Sequence, residues 1–198
     1  ALGGVVFGVK KAVTAFSEYE RATRKTEALL RTTGYASGLT AQQIEGLAVA
    51  VGRGTLASGS GARKGAGELL TFKSISGDVF RKTLYLAQDL AATGFGTLET
   101  NAVQLGKALE DPILGLTALR RVGVSFTDQQ RDMIKVMSQA GRTAEAQAEI
   151  LKILENQVGG AGKGEAGGDR TGTRLYPSDI TSSFALCCCE NNNNRQRQ

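Results

Sequence analysis

What most constrains this chain is a repeated interruption: short stretches with apolar residues at helical spacing, closed by glycine rather than proline. The 198 residues hold 26 glycines and only two prolines, and glycine stands at roughly twice its usual usage. Gly34 and Gly38, Gly94 and Gly96, Gly141, and the pair Gly159-Gly160 all fall where an apolar period stops. Glycine just past the last periodic residue is a helix stop signal. The fold class this predicts is all-α, a multi-helix array of short amphipathic helices. A long N-terminal helix precedes the array and a disordered C-terminal tail follows it.

The long helix is expected over residues 5–31. Val9, Phe16, Thr23 and Leu30 recur every seven residues, with Ala12, Tyr19 and Thr26 between them. That is a heptad seam diluted by threonine, readable as one face of a helical core or as a coiled coil. Thr40 and Gln43 form a capping box, and Leu39 and Ile44 occupy the two staple positions. Ile44, Leu47, Ala48 and Val51 then share a face. Residues 58–67 are so rich in glycine that a loop is expected there, and residues 68–75 read as a short packed helix or a strand.

A firmer helix is expected over residues 78–93. Phe80, Leu84, Ala87 and Ala91 line one side, and Val79, Leu86 and Leu90 another, which places it centrally. Thr97 caps the next helix, whose Leu98, Ala102, Leu105 and Leu109 make a single stripe. Asp111-Pro112 starts another, because an aspartate cap before a first-turn proline sacrifices no hydrogen bond. That helix carries Ile113, Leu116 and Leu119. A second capping box, Thr127 with Gln130, opens a helix read as carrying Met133, Met137 and Ala140. The last, over residues 143–158, is expected to bury Ala146, Ile150, Ile153 and Leu154.

These readings divide the chain into a helical arm at 1–35, a helical domain at 36–160, and a Gly-rich linker with a disordered tail at 161–198. All three cysteines fall in that tail as Cys187-Cys188-Cys189, without the spacing of a metal or redox motif. The apolar start stops at Lys10, too short to span a bilayer. The chain does not begin with Met, so it is expected to be a piece of something longer.

There is no histidine, which removes the commonest general base and the commonest zinc ligand. Glu110-Asp111 are adjacent carboxylates, explained by capping and by the dipole of the next helix. Asp128 with Asp132, and Glu145 with Glu149, sit one turn apart as on ordinary solvated faces. Gly59-Ser-Gly61-Ala-Arg-Lys-Gly65 lacks the closing Lys-Ser/Thr of a phosphate loop. No catalytic, cofactor-binding or metal residue is therefore assigned, no cofactor is expected, and the chain is read as a non-enzyme. The net charge of +5 is spread over the doublets Lys10-Lys11, Arg24-Lys25, Arg63-Lys64, Arg81-Lys82 and Arg120-Arg121. A nucleic-acid binder would gather such charge on one face.

Several stretches carry a resemblance to a known family. They are Leu69-Leu-Thr-Phe-Lys-Ser-Ile-Ser-Gly-Asp-Val-Phe80, then Ala87-Gln-Asp-Leu-Ala-Ala. The long central motif follows, Asn101-Ala-Val-Gln-Leu-Gly-Lys-Ala-Leu-Glu-Asp-Pro-Ile-Leu-Gly-Leu-Thr-Ala-Leu-Arg-Arg-Val-Gly-Val-Ser-Phe-Thr127. The closing Leu154-Glu-Asn-Gln-Val-Gly-Gly160 also fits. Between Ala36 and about residue 161 the chain resembles the tail tape measure proteins of long-tailed bacteriophages and prophages. The resemblance implies a structural phage tail protein that templates tail tube length and assists DNA ejection.

It further implies as partners the tail tube protein, tail assembly chaperones and tail-tip proteins, with self-association through helices. No specific nucleic-acid site and no membrane span come with it. The implied location is the host cytoplasm during assembly and then the lumen of the virion tail tube. The alternative is a basic helical module that binds nucleic acid or serves as a scaffold.

Overall fold

A computed structural model describes residues 2–54 and 58–163; within the first helix, side chains are described for Phe16, Ser17 and from Tyr19 onward. Among the described residues there are eight α-helices and no β-strand. They are α1 (Leu2–Thr32), α2 (Ala41–Gly54), α3 (Gly59–Leu69), α4 (Gly77–Ala92), α5 (Leu98–Glu110), α6 (Pro112–Arg120), α7 (Asp128–Gln139) and α8 (Thr143–Val158). The all-α class stands. All eight belong to one unit, Ala1–Ala166. The expected disordered tail and its three cysteines fall almost wholly on residues 164–198, outside the described residues.

Local signals account for most boundaries. Thr40 and Gln43 exchange the two bonds of a capping box at 2.9 and 3.2 Å, as do Thr127 and Gln130. Asp111 Oδ1 accepts from Ile113 N at 3.0 Å and Leu114 N at 3.1 Å, with Pro112 in the first turn. α7 ends in a Schellman turn: Gly141 N donates to Ser138 O and Arg142 N to Met137 O, with Gly141 at φ +73°.

α5 is the hub, lying against α3, α4, α6 and α8. α2 rests on α3, α7 on α6 and α8, and α1 on α2 and α3. The core is mostly aliphatic: Leu69, Leu84, Leu90, Leu105, Leu109 and Ile134 are sealed in it, together with the rings of Phe80 and Phe126. Ala62, Ala66, Ala87, Ala102 and Ala108 are sealed with them. Small residues at helix contacts let backbones come close.

Five expectations are corrected. Residues 58–67 are not a loop: they form most of α3. Ser58 caps it by accepting from Gly61 N at 3.1 Å, and Ala62, Gly65, Ala66 and Leu69 are buried at steps of three, one and three. Gly65 serves close approach, since a Cβ there would lie 2.0 Å from Leu98 Cδ2. Residues 68–75 are correspondingly the end of α3 and a turn, with Thr71 N bonded to Glu68 O and Phe72 N to Leu69 O. On α7 the buried residue is Ile134, while Met133 is exposed and Met137 only packs against the core. Ile113 on α6 is exposed. On the seam of α1, Leu30 is sealed in the core whereas Phe16 is 63% exposed and Tyr19 also faces outward.

Candidate functional site

The residues with chemistry to offer are spent on loops and helix ends. Asp89 on α4 is buried, and its two carboxylate oxygens accept from Gly160 N and Gly162 N, each at 2.8 Å. This clips the turn after α8 onto α4. Gln147 on α8 donates to Leu109 O at 3.0 Å and to Ser74 O at 3.2 Å. Ser74 Oγ in turn donates to Glu110 Oε2 at 2.6 Å, so α5, α8 and the turn before α4 meet at one polar knot. Gln157 pairs with the backbone of Ser125, accepting from its N–H at 2.9 Å and donating to its carbonyl at 2.6 Å.

Every carboxylate pair singled out in the sequence is accounted for by such a local bond or by solvent. Glu110 is tied to Ser74 and Asp111 caps α6. Asp128 pairs with Arg131 and Glu149 with Lys152, while Asp132 is exposed. Glu145 pairs with Arg142, and the hydrogen bond from that guanidinium holds the Glu145 carboxyl below its ordinary value of 4.5. The Gly59–Gly65 stretch presents a helix start already capped by Ser58. Among the described residues, no group of three His, Cys, Asp or Glu side chains is placed to hold a metal ion.

Three of the basic doublets hold an arginine in an ion pair within the chain. Arg24 pairs with Glu20 at 3.2 Å, and Arg63 with the buried Glu45 at 2.5 Å. Arg81 approaches Asp78 at 4.0 Å, and Arg120-Arg121 lie exposed at the end of α6.

The central motif 101–127 does assemble. It builds α5, the Asp111-Pro112 corner, α6 and the cap of α7. Gly115 brings α6 onto α5 so closely that a Cβ would lie 2.1 Å from Ala108 Cα. A Cβ on Gly106 would meet the Phe72 ring at 2.2 Å. Between the two helices runs a shallow groove of about 310 Å³ lined by Phe72, Leu114 and Ala118 among others, with Leu114 itself 73% exposed. Asn101 is wholly buried, donating to Ala87 O at 3.3 Å. Its Oδ1 has no protein partner. Sequence reading missed the buried Asn101 and the two close-approach glycines. The available signal was glycine in the middle of otherwise sound helical stripes.

Among the described residues no helix is long and apolar enough to cross a membrane. No curated protein and no solved structure matches the chain. A family model for the prophage tail length tape measure protein matches residues 1–135. The match takes in all of α1, which lies outside the motifs that carry the resemblance, and it ends inside α7, short of the closing motif at 154–160. It covers well over half of the chain, and the helices it spans carry the central motif, so this chain belongs to the prophage tail length tape measure protein family and is a structural protein of the phage tail.

Proposed function

We propose that this chain is part of the template that sets tail tube length and that later assists DNA ejection, and that it acts without catalysis. The observation that carries the reading is the family match over residues 1–135 on an array whose polar side chains are engaged in holding helices and turns. The partners are tail tube subunits, tail assembly chaperones and tail-tip proteins, met first in the host cytoplasm and then in the tube lumen. α1 serves as an arm (1–35) that reaches beyond the helical domain (36–160), and its uncovered Phe16 and Tyr19 are the place for helix-to-helix self-association. Residues 161–198 serve as a linker and tail.

Cross-linking in purified tails tests this. Lys25, Lys107 and Lys135 are exposed and are expected to yield cross-links to tail tube subunits, identified by mass spectrometry. A chain absent from tails, or recovered only with DNA and in a strongly salt-dependent way, would overturn the reading.

A further inference from the structure

The turn between α4 and α5 and the turn between α6 and α7 meet on an exposed ring. Phe95 stands between Gly94 at φ +90° and Gly96 at φ +77°, left-handed positions suited to glycine. Both flanks of its turn are tied: Thr93 Oγ1 donates to Leu90 O at 2.7 Å, and Thr97 and Thr100 form the capping box of α5. The ring lies on Gly123, itself at φ +82°, where a Cβ would meet Phe95 Cε2 at 2.5 Å. This contact seats the ring and still leaves Phe95 45% exposed.

Gly123 N donates to Arg120 O at 3.3 Å, so Arg120 and Arg121 share the turn on which the ring lies. Both are exposed, and among the described residues neither is in an ion pair. In three other doublets Arg24, Arg63 and Arg81 each face a carboxylate. The acidic residues nearest along the chain are directed elsewhere. Glu99 faces Gly61 on α3, Asp111 caps α6 at its far end, and Asp128 pairs with Arg131. A helix C-terminus favours a cation, but that gives no reason for an exposed ring beside two of them.

We propose that Phe95, Arg120 and Arg121 form a contact for a single nucleic-acid strand: the two guanidinium groups take phosphates and the ring stacks with an unpaired base. Unpaired positive charge beside a seated aromatic ring supplies the two parts of a site that tracks a strand, and neither part reads sequence. The surroundings favour a strand over a protein partner. Thr93, Gly94, Gly96 and Thr97, which flank Phe95, are small and exposed. The turn therefore offers no second exposed apolar side chain of the kind that fills the centre of a protein interface. The inference goes beyond the tail role proposed above.

Fluorescence anisotropy of a labelled oligothymidylate tests it on the full chain. Log affinity is expected to fall against log salt with a slope of about −1.4, for two phosphates at about −0.7 each. Arg120→Gln with Arg121→Gln is expected to flatten that slope toward zero. Phe95→Leu is expected to weaken binding at least about fivefold at unchanged slope, because stacking needs the ring. The chain has no tryptophan, so Phe95→Trp puts a single reporter at the contact. Its emission is expected to be quenched by the oligothymidylate and not by polyglutamate. Duplex DNA, whose bases are already stacked, is expected to leave it unquenched. All three positions are exposed, and each variant is expected to keep its helical circular dichroism.

Absence of binding by the unaltered chain overturns the contact. So does binding that survives loss of both arginines. Equal binding of polyglutamate, with Phe95→Leu indifferent, would make the partner an acidic protein segment and overturn the strand. These readouts come from the isolated chain, so their failure leaves the cross-linking result in tails to decide the tail role separately.

Discussion

Gly46 and Gly115 both sit inside helices, yet the same added methyl group acts oppositely at the two. Nothing lies within 4 Å of a Cβ on the exposed Gly46, so Gly46→Ala is expected to stabilise the fold by about 0.5–1 kcal/mol through helix propensity. At Gly115 the methyl meets Ala108 Cα, backbone that cannot swing aside, and Gly115→Ala is expected to cost about 1–3 kcal/mol. Urea unfolding of the two variants checks both signs. Asp89→Ala leaves two backbone N–H groups without their acceptor and is expected to cost about 2 kcal/mol. The ion pair of Glu145 behaves differently. Its folded pKa lies below the unfolded one, so its increment is present above the ordinary carboxylate range and fades as pH falls through the lowered value. Both partners are exposed, so the expected outcome is a lowered carboxyl titration by NMR with little change in melting. At this scale glycine was the residue hardest to read. The same letter ends α7 at Gly141, admits Leu98 at Gly65 and sits idle at Gly46, and only the neighbours tell these apart.

Elements announced by a polar signal at their start were legible from sequence. The capping boxes at Thr40 and Thr127 and the Asp111-Pro112 start stand where spacing put them, because these bonds are made within four residues. Thr127→Ala removes the acceptor for Gln130 N and is expected to lower stability by about 1 kcal/mol, read as a shift in the denaturation midpoint. α3 was illegible for a physical reason. Its glycines carry a propensity cost of about 1 kcal/mol each, and what offsets that cost is burial of Ala62, Ala66 and Leu69 against helices distant in sequence. α7 shows the other failure. Met133, Ile134, Val136 and Met137 are apolar on adjoining directions, so periodicity leaves the phase open, and contact with α6 and α8 selects Ile134. Val136 is left 63% exposed.

At the scale of the molecule, the eight helices of the described residues form an array in which α5 is central and α1 rests on α2 and α3. The absence of histidine and the spread of the basic doublets are read from residue types and spacing alone. The central motif 101–127 points to the family, and the fold shows that motif to be the hub helix, its corner and its neighbour rather than a pocket. What sequence did not disclose was that its glycines and Asn101 face inward, since burial depends on which distant helix arrives. The most direct measurement of the central claim is tail length. Lengthening α1 in the phage genome by an in-frame insert of about 56 residues of heptad-repeat helix is expected to lengthen tails by about 84 Å in electron micrographs, at about 1.5 Å per residue. Complete tails of unchanged length carrying the longer protein would contradict it.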